Sequence, residues 1–128
     1  MKSSDVFFII LIVFCICGFY EVNHRDYNQE AIQAIVGEAA NQSEDTMICI
    51  AHAIRNRGTL KGVYGLNAKH VWSEPDWVWR NAMVAWDLSG HEKDVVNGAK
   101  NFGTRQDLDK QDFSTFTIKA HCGDFYFY

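Results

Sequence analysis

Glu38 is the residue of this chain whose surroundings best suit acid catalysis. Its neighbours Val36, Ala39 and Ala40 are apolar, and a second apolar helix and a glycine-rich loop follow it and can cover it. Burial disfavours the charged form of a carboxyl group, so a covered Glu can keep its proton near neutral pH and give it to a leaving oxygen. Because a Glu at the margin of an apolar stripe is most often solvated, this interpretation depends on a wider motif.

Cleavage of a glycosidic bond is a reaction that needs such an acid, and most glycosidases pair it with a second carboxyl group. The candidates for this second group are Glu44, Asp45, Glu74 and Asp76. All four suit the N-caps or first turns of predicted helices, where a carboxylate stabilises the helix. The residues alone therefore offer no strong candidate for a second carboxyl group beside Glu38.

Polar and aromatic residues after Glu38 are candidates for substrate binding. Asn56 and Arg57 end the second helix, where they can hold the last carbonyls or reach a sugar or carboxylate, and for Arg57 the structural role is favoured. Tyr64, Trp72 and Trp77 could stack on sugar rings, since the two tryptophans flank a predicted turn. We predict that all five line the substrate site.

The third helix carries an apolar stripe at i, i+3, i+4 and i+7, formed by Trp79, Ala82, Met83 and Trp86. Such spacing predicts one buried face, so these residues are assigned to the core.

Four residues raise the question of a metal site. Cys49 and His52 lie three apart on one helical face, and His121 and Cys122 could add two ligands. A Cys-x-x-His pair inside an apolar helix more often packs, and an adjacent His-Cys pair chelates a tetrahedral ion poorly. We therefore predict no metal and no cofactor. Cys49 and Cys122 could form a disulfide, but the apolar helical position of Cys49 favours a buried free thiol.

Apolar periodicity predicts three helices over residues 29–40, 43–57 and 75–89. Ser43 is a suitable N-cap, Gly58 and Gly90 are stop signals, and Pro75 can start a helix. Residues 58–71 are predicted to form a loop that faces the cleft or the solvent.

The second half of the chain carries weaker signals. Residues 94–102 indicate a turn region, 103–111 a polar stretch, and 113–120 and 125–128 a terminal β-hairpin.

The N-terminal residues 6–20 form an apolar run behind a short polar segment, which predicts a signal peptide or an N-terminal anchor over residues 1–20. Residues 21–28 are predicted to form a short tether, and residues 29–128 are enough to form one compact domain. We expect an exported protein that contacts the membrane only through this segment. The net charge of −4 argues against nucleic acid as main partner, and attraction to an acidic polymer would have to be local.

A motif connects Glu38 to the second helix. Glu38-Ala39, followed without a gap by the apolar helix that ends in Asn56-Arg57, resembles the cell-wall hydrolase family of the spore cortex-lytic enzymes. Residues 94–102 are similar to the Gly-Ala segment of that family, and residues 121–126 to its closing His and Phe-Tyr. The resemblance covers residues 31–128.

The chain departs from the family pattern at three places. Gln42 stands where the family has a second Glu, and Thr46-Met47 replaces its Gly-Gln pair. At the end of the chain, residues 122–124 separate His121 from Phe125-Tyr126.

The resemblance implies an α+β, mainly helical, lysozyme-like single domain with a small C-terminal β-hairpin. It implies a monomer that acts on peptidoglycan glycan strands as a lytic transglycosylase, with Glu38 as the acid and with His121 and the Tyr126 hydroxyl at the substrate. The product would carry 1,6-anhydro-muramyl ends. A muramidase, a non-catalytic membrane-tethered glycan-binding module and a metal-dependent hydrolase or zinc domain are the alternatives.

Overall fold

The structure is a computed structural model that describes residues 27–128. The predicted signal peptide or anchor, and most of the predicted tether, lie outside the described residues. Within residues 27–128 no helix is both long and apolar enough to cross a membrane.

The three predicted helices are present. Helix α1 covers residues 27–39 of the described chain, so residues 27 and 28 are helical and not part of a tether. Helix α2 spans Glu44–Arg57: the Ser43 hydroxyl accepts a hydrogen bond from the Thr46 N–H, and Gly58 ends the helix in the left-handed conformation with φ 74°. Helix α3 spans Asp76–Ser89 and follows Pro75.

Helix α3 packs on α2 through a face that differs from the predicted one. Its buried residues are Val78, Ala82, Ala85, Trp86 and Ser89. The prediction that Met83 is buried was wrong, because Met83 is 54 % exposed. The buried face spans i, i+4, i+7, i+8 and i+11 from Val78, and Met83 falls outside it.

A three-stranded antiparallel sheet follows the helices. Strands β1 (Phe102–Thr104), β2 (Ala120–Cys122) and β3 (Phe125–Phe127) are arranged in the order β1-β3-β2. The predicted strand over residues 113–120 was wrong. Phe113–Thr115 is a 3-10 turn, and of the predicted range only Ala120 belongs to β2. The mainly helical fold with a small C-terminal sheet is therefore present, and the predicted hairpin is extended by β1.

The polar stretch 103–111 holds two elements that its composition does not predict. It contains the end of β1 and the short helix α4 (Arg105–Asp109), whose N-cap is Thr104.

Cys49 of α2 and Cys122 of β2 are joined in a disulfide. The prediction of a free thiol was wrong, because Cys49 lies on the side of α2 that faces the sheet. The bond joins residues 73 positions apart and fixes α2 to the sheet. Neither cysteine can therefore offer a thiolate, and among residues 27–128 no group of three His, Cys, Asp or Glu residues could hold a metal ion.

Candidate functional site

Glu38 lies in the last turn of α1, where the loop after α2 covers it. Its Oε1 atom accepts a hydrogen bond of 2.7 Å from the Gly65 N–H. Two glycines allow this approach: a Cβ at Gly37 would meet the backbone of Gly65, and a Cβ at Gly65 would lie 2.6 Å from Cγ and 2.7 Å from N of Glu38. The backbones of helix and loop are thus in direct contact beside the carboxyl group.

Burial raises the pKa of the Glu38 carboxyl above its ordinary value. The Gly65 N–H stabilises the carboxylate and opposes this effect, whereas the negative charge of Asp107 adds to it. The net direction is upward, so Glu38 keeps its proton to a higher pH than a free Glu. This is the environment that acid catalysis requires.

Glu38 borders two cavities. The larger measures about 550 Å³ and also contacts Arg57, Tyr64, Asp107 and Tyr128. The smaller measures about 290 Å³ and is lined by residues at the end of α1 and by His70 and Glu74. A chain-like ligand could therefore occupy both sides of the carboxyl group.

A third cavity of about 570 Å³ shares Gly62, Val63 and Tyr64 with the larger Glu38 cavity. Tyr64 is 88 % exposed and so stands between the two spaces as an open aromatic surface. Each of the three cavities thus adjoins the next through shared wall residues. We call the three together the Glu38 groove.

His70 fixes the loop to the helix end at the smaller cavity. Its Nδ1 lies 2.9 Å from Oε1 of Glu74, and its Nε2 lies 3.0 Å from the carbonyl oxygen of Gly37. The Gly37 carbonyl oxygen only accepts hydrogen bonds, so Nε2 is the donor in this contact. His70 thereby holds the residue next to Glu38.

Asp107 and Lys110 bring opposite charges to the larger cavity, with the Lys110 Nζ 3.3 Å from Asp107 Oδ1. The Thr104 hydroxyl donates to Asp107 at 2.8 Å, and this bond lowers the pKa of Asp107. Asp107 is therefore held as a carboxylate on the wall that also contains Glu38.

The predicted substrate residues divide into two groups. Arg57 and Tyr64 line the larger Glu38 cavity. Asn56 instead donates to Asp94 at 2.9 Å and to the Ala99 carbonyl at 3.1 Å, so it ties α2 to the turn that follows α3.

The other predicted substrate residues lie away from Glu38. Trp72 and Trp77 are 76 % and 53 % exposed and do not line the two Glu38 cavities. His121 stacks on Tyr126 with ring centroids 4.1 Å apart, and both line a separate cavity of about 440 Å³. Their part in substrate binding stays a prediction.

Gln42 contacts the turn that precedes Phe125. The Gln42 amide donates to the Asp124 carboxylate at 2.8 Å, and the Asp124 N–H donates to the Gln42 side chain at 3.3 Å. A Glu at position 42 could not donate to Asp124 and would repel it. Gln42 is thus matched to Asp124 in the turn before Phe125.

Comparison of the chain with protein-family models, with curated proteins and with solved structures finds no match. Function is therefore argued from the groove itself. Sequence reasoning missed Gly65, His70, Asp107, Lys110 and Tyr128 as groove residues. Of these, Gly65 and His70 carried a signal, because both lie in the loop 58–71, which was expected to face either the cleft or the solvent.

Proposed function

We propose that this protein cleaves the glycan strands of peptidoglycan, with Glu38 as the general acid. The observation that carries the proposal is a buried carboxyl group with a raised pKa at the junction of two cavities. A polymer that is cut internally must bind on both sides of the broken bond. A carboxyl group at the closed end of a single pocket would instead suit the removal of a terminal sugar.

The proposed reaction is that of a lytic transglycosylase. Protonated Glu38 gives its proton to the bridging oxygen as the bond from the anomeric carbon to that oxygen breaks. The Glu38 carboxylate, which the Gly65 N–H stabilises at Oε1, then takes the proton of the muramyl 6-hydroxyl. That oxygen bonds to the anomeric carbon, and the product is a 1,6-anhydro sugar with Glu38 protonated again.

The proposal includes a lysozyme-like arrangement, in which a helix presents the acid to a cleft between helices and a small sheet. It is supported by the position of Glu38 at the end of α1 and by β1 and β3 residues in the larger cavity wall, namely Phe102, Gly103 and Phe125.

Export is part of the same proposal. The Cys49–Cys122 disulfide supports it, because such bonds persist in oxidising compartments and are rare in the cytosol. Together with the apolar run of residues 6–20, it favours an extracytoplasmic protein, secreted or anchored, that acts as a monomer on the wall.

The test is digestion of purified peptidoglycan by the full chain, kept in mild detergent, with the released sugars identified by mass. We expect anhydro-muramyl ends from the natural chain and a loss of about 10³-fold in rate from Glu38→Gln. Glu92→Gln, the same change at an exposed residue, should keep full activity. Reducing muramic ends would indicate a muramidase, and no release by the natural chain would reject cleavage.

A glycan-binding module without catalysis is the second candidate. The exposure of Tyr64, Trp72 and Trp77 favours it, because aromatic faces stack on sugar rings. Wall binding by the natural chain without release of sugars, and unchanged by Glu38→Gln, would support this candidate.

A further inference from the structure

We infer that Arg57 forms an anion subsite in the larger Glu38 cavity, and that this subsite binds a carboxylate carried by the muramyl substituent of the substrate. The inference rests on the proposed action on glycan strands. It names the muramyl carboxylate as the group by which the site selects its substrate.

Arg57 is the last residue of α2, and its side chain reaches the wall of the cavity that contains Glu38. A guanidinium nitrogen lies 3.1 Å from the point where a Cβ of Gly62 would stand, and the positive charge is close enough to Tyr128 to lower the pKa of that hydroxyl against the effect of its burial. The loop glycine thus leaves room for the guanidinium beside the groove.

The neighbouring arginine of the same helix shows what a structural arginine looks like in this fold. Arg55 donates to the Ser89 hydroxyl at 2.7 Å and to the Trp86 carbonyl at 2.6 Å, and it stacks on the Trp86 ring. Arg57 forms no ion pair with any residue among those described. Its donors are therefore available to a ligand.

The charges of the cavity leave one cation unmatched. Asp107 and Lys110 pair with each other, and Glu38 is neutral while it holds the proton needed for catalysis. Arg57 then gives the cavity a local positive charge, although the whole chain carries −4. An anionic group beside the broken bond would be attracted by this local charge, whereas the net charge of the whole molecule would repel it.

The chemistry of the strand identifies that group. N-acetylglucosamine is uncharged, whereas each muramyl sugar carries a lactyl group that ends either in a free carboxylate or in a peptide with its own carboxylates. A guanidinium binds a carboxylate through two parallel hydrogen bonds. Arg57 would therefore distinguish wall glycan from chitin, whose sugars lack this substituent.

The experiment measures binding to the full chain with Glu38→Gln, which prevents turnover. Calorimetry compares three soluble ligands: chitotetraose, a wall tetrasaccharide with free lactyl groups, and the same tetrasaccharide with peptide stems. We expect both wall ligands to bind more tightly than chitotetraose. Adding Arg57→Gln should weaken wall ligands by about tenfold or more and leave chitotetraose unchanged.

Two further variants make the result specific. Arg57→Lys keeps the charge but not the paired donors, and should restore only part of the affinity. Arg80→Gln removes an exposed arginine of α3 and should change nothing. A loss confined to the peptide-bearing ligand would assign the carboxylate to the stem, a loss confined to the ligand with free lactyl groups would assign it to the lactyl group, and a loss with both ligands would show that either carboxylate can fill the subsite.

The inference is overturned if wall ligands bind no more tightly than chitotetraose, or if Arg57→Gln weakens all three equally. Selective binding without cleavage by the natural chain would reject the proposed reaction and keep the subsite. Absence of binding by all three ligands would reject both.

Discussion

Glu38 and Asp94 are two carboxyl groups that the fold treats in opposite ways. Glu38 is covered and receives one hydrogen bond from a backbone N–H, so burial prevails and its pKa is raised. Burial also acts to raise the pKa of Asp94, but two backbone N–H groups at 2.8 and 2.7 Å and the Asn56 amide at 2.9 Å outweigh it and lower that pKa. Deeper burial at Glu38 and the larger number of donors at Asp94 together set the opposite directions of the two pKa shifts.

Asp94 therefore suits a structural role, whereas Glu38 suits a chemical one. Asp94 holds the turn of residues 94–99 against α2, and its donors leave no proton to give. Glu38 keeps one oxygen free of protein donors and faces the groove. The adjacent residues Asn56 and Arg57 divide in the same way, since one binds Asp94 and the other lines the Glu38 cavity.

The contact between α1 and the loop should be the feature most sensitive to change. In Gly65→Ala the new methyl group would enter the backbone of α1, so the loop must move and its N–H leaves Glu38. We expect a loss of about 3 kcal/mol or more in the free energy of unfolding, measured by urea denaturation. Gly103→Ala, whose methyl group would lie 3.3 Å or more from the side chains of Leu108 and Asp107, should cost much less. Equal losses would contradict a specific close approach at Gly65.

Removal of the Asp94 carboxylate tests the architectural half of the comparison. Asp94→Ala leaves two backbone N–H groups and the Asn56 amide without their acceptor, which we expect to cost about 3 kcal/mol in unfolding free energy. Asp109→Ala removes an exposed carboxylate paired with Arg105 and should cost less than about 1 kcal/mol.

The Asp94 contribution should also depend on pH. Because the folded pKa is lowered, the contribution is complete above the unfolded value of about 4 and is lost as pH falls through the folded pKa. In Asp94→Asn this acid-dependent loss should be reduced. Denaturation of both chains between neutral pH and pH 3 measures the difference, and parallel curves would contradict the assignment.

Glu38→Gln should leave stability almost unchanged, within about 1 kcal/mol. Because the folded pKa of Glu38 is raised, its ionisation destabilises the fold, and this cost appears as pH rises above about 4.3 and is complete above the folded pKa. The variant should therefore be at least as stable as the natural chain at pH 8. A clear loss of stability at pH 8 would mean that the carboxylate supports the fold and would break the comparison with Asp94.

Local signals predicted the helices that frame the groove. Ser43 and Gly58 mark both ends of α2 because capping depends on residues adjacent in sequence. The same locality explains why the margin position of Glu38 could be predicted.

Long-range contacts could not be predicted in this way. The meeting of Gly37 with Gly65 and the pairing of Cys49 with Cys122 join distant segments, and no local pattern records them. Strand β1 has three residues, too few for a visible alternation, and α4 is too short for an apolar period. Asp107 was missed as a neighbour of Glu38 for this reason.

The smallest predicted effect concerns the electrostatic influence of Asp107 on Glu38. A general acid works while protonated, so glycan cleavage should fall as pH rises through the Glu38 pKa. The Asp107 charge raises that pKa, so Asp107→Asn should move the basic limb of the rate profile to lower pH. Asp109→Asn makes the same change on α4 at a residue outside the cavity wall, and should leave the limb in place. An equal shift in both variants would assign the effect to net charge, whereas a shift confined to Asp107→Asn, reduced in 1 M salt, would place it across the cavity.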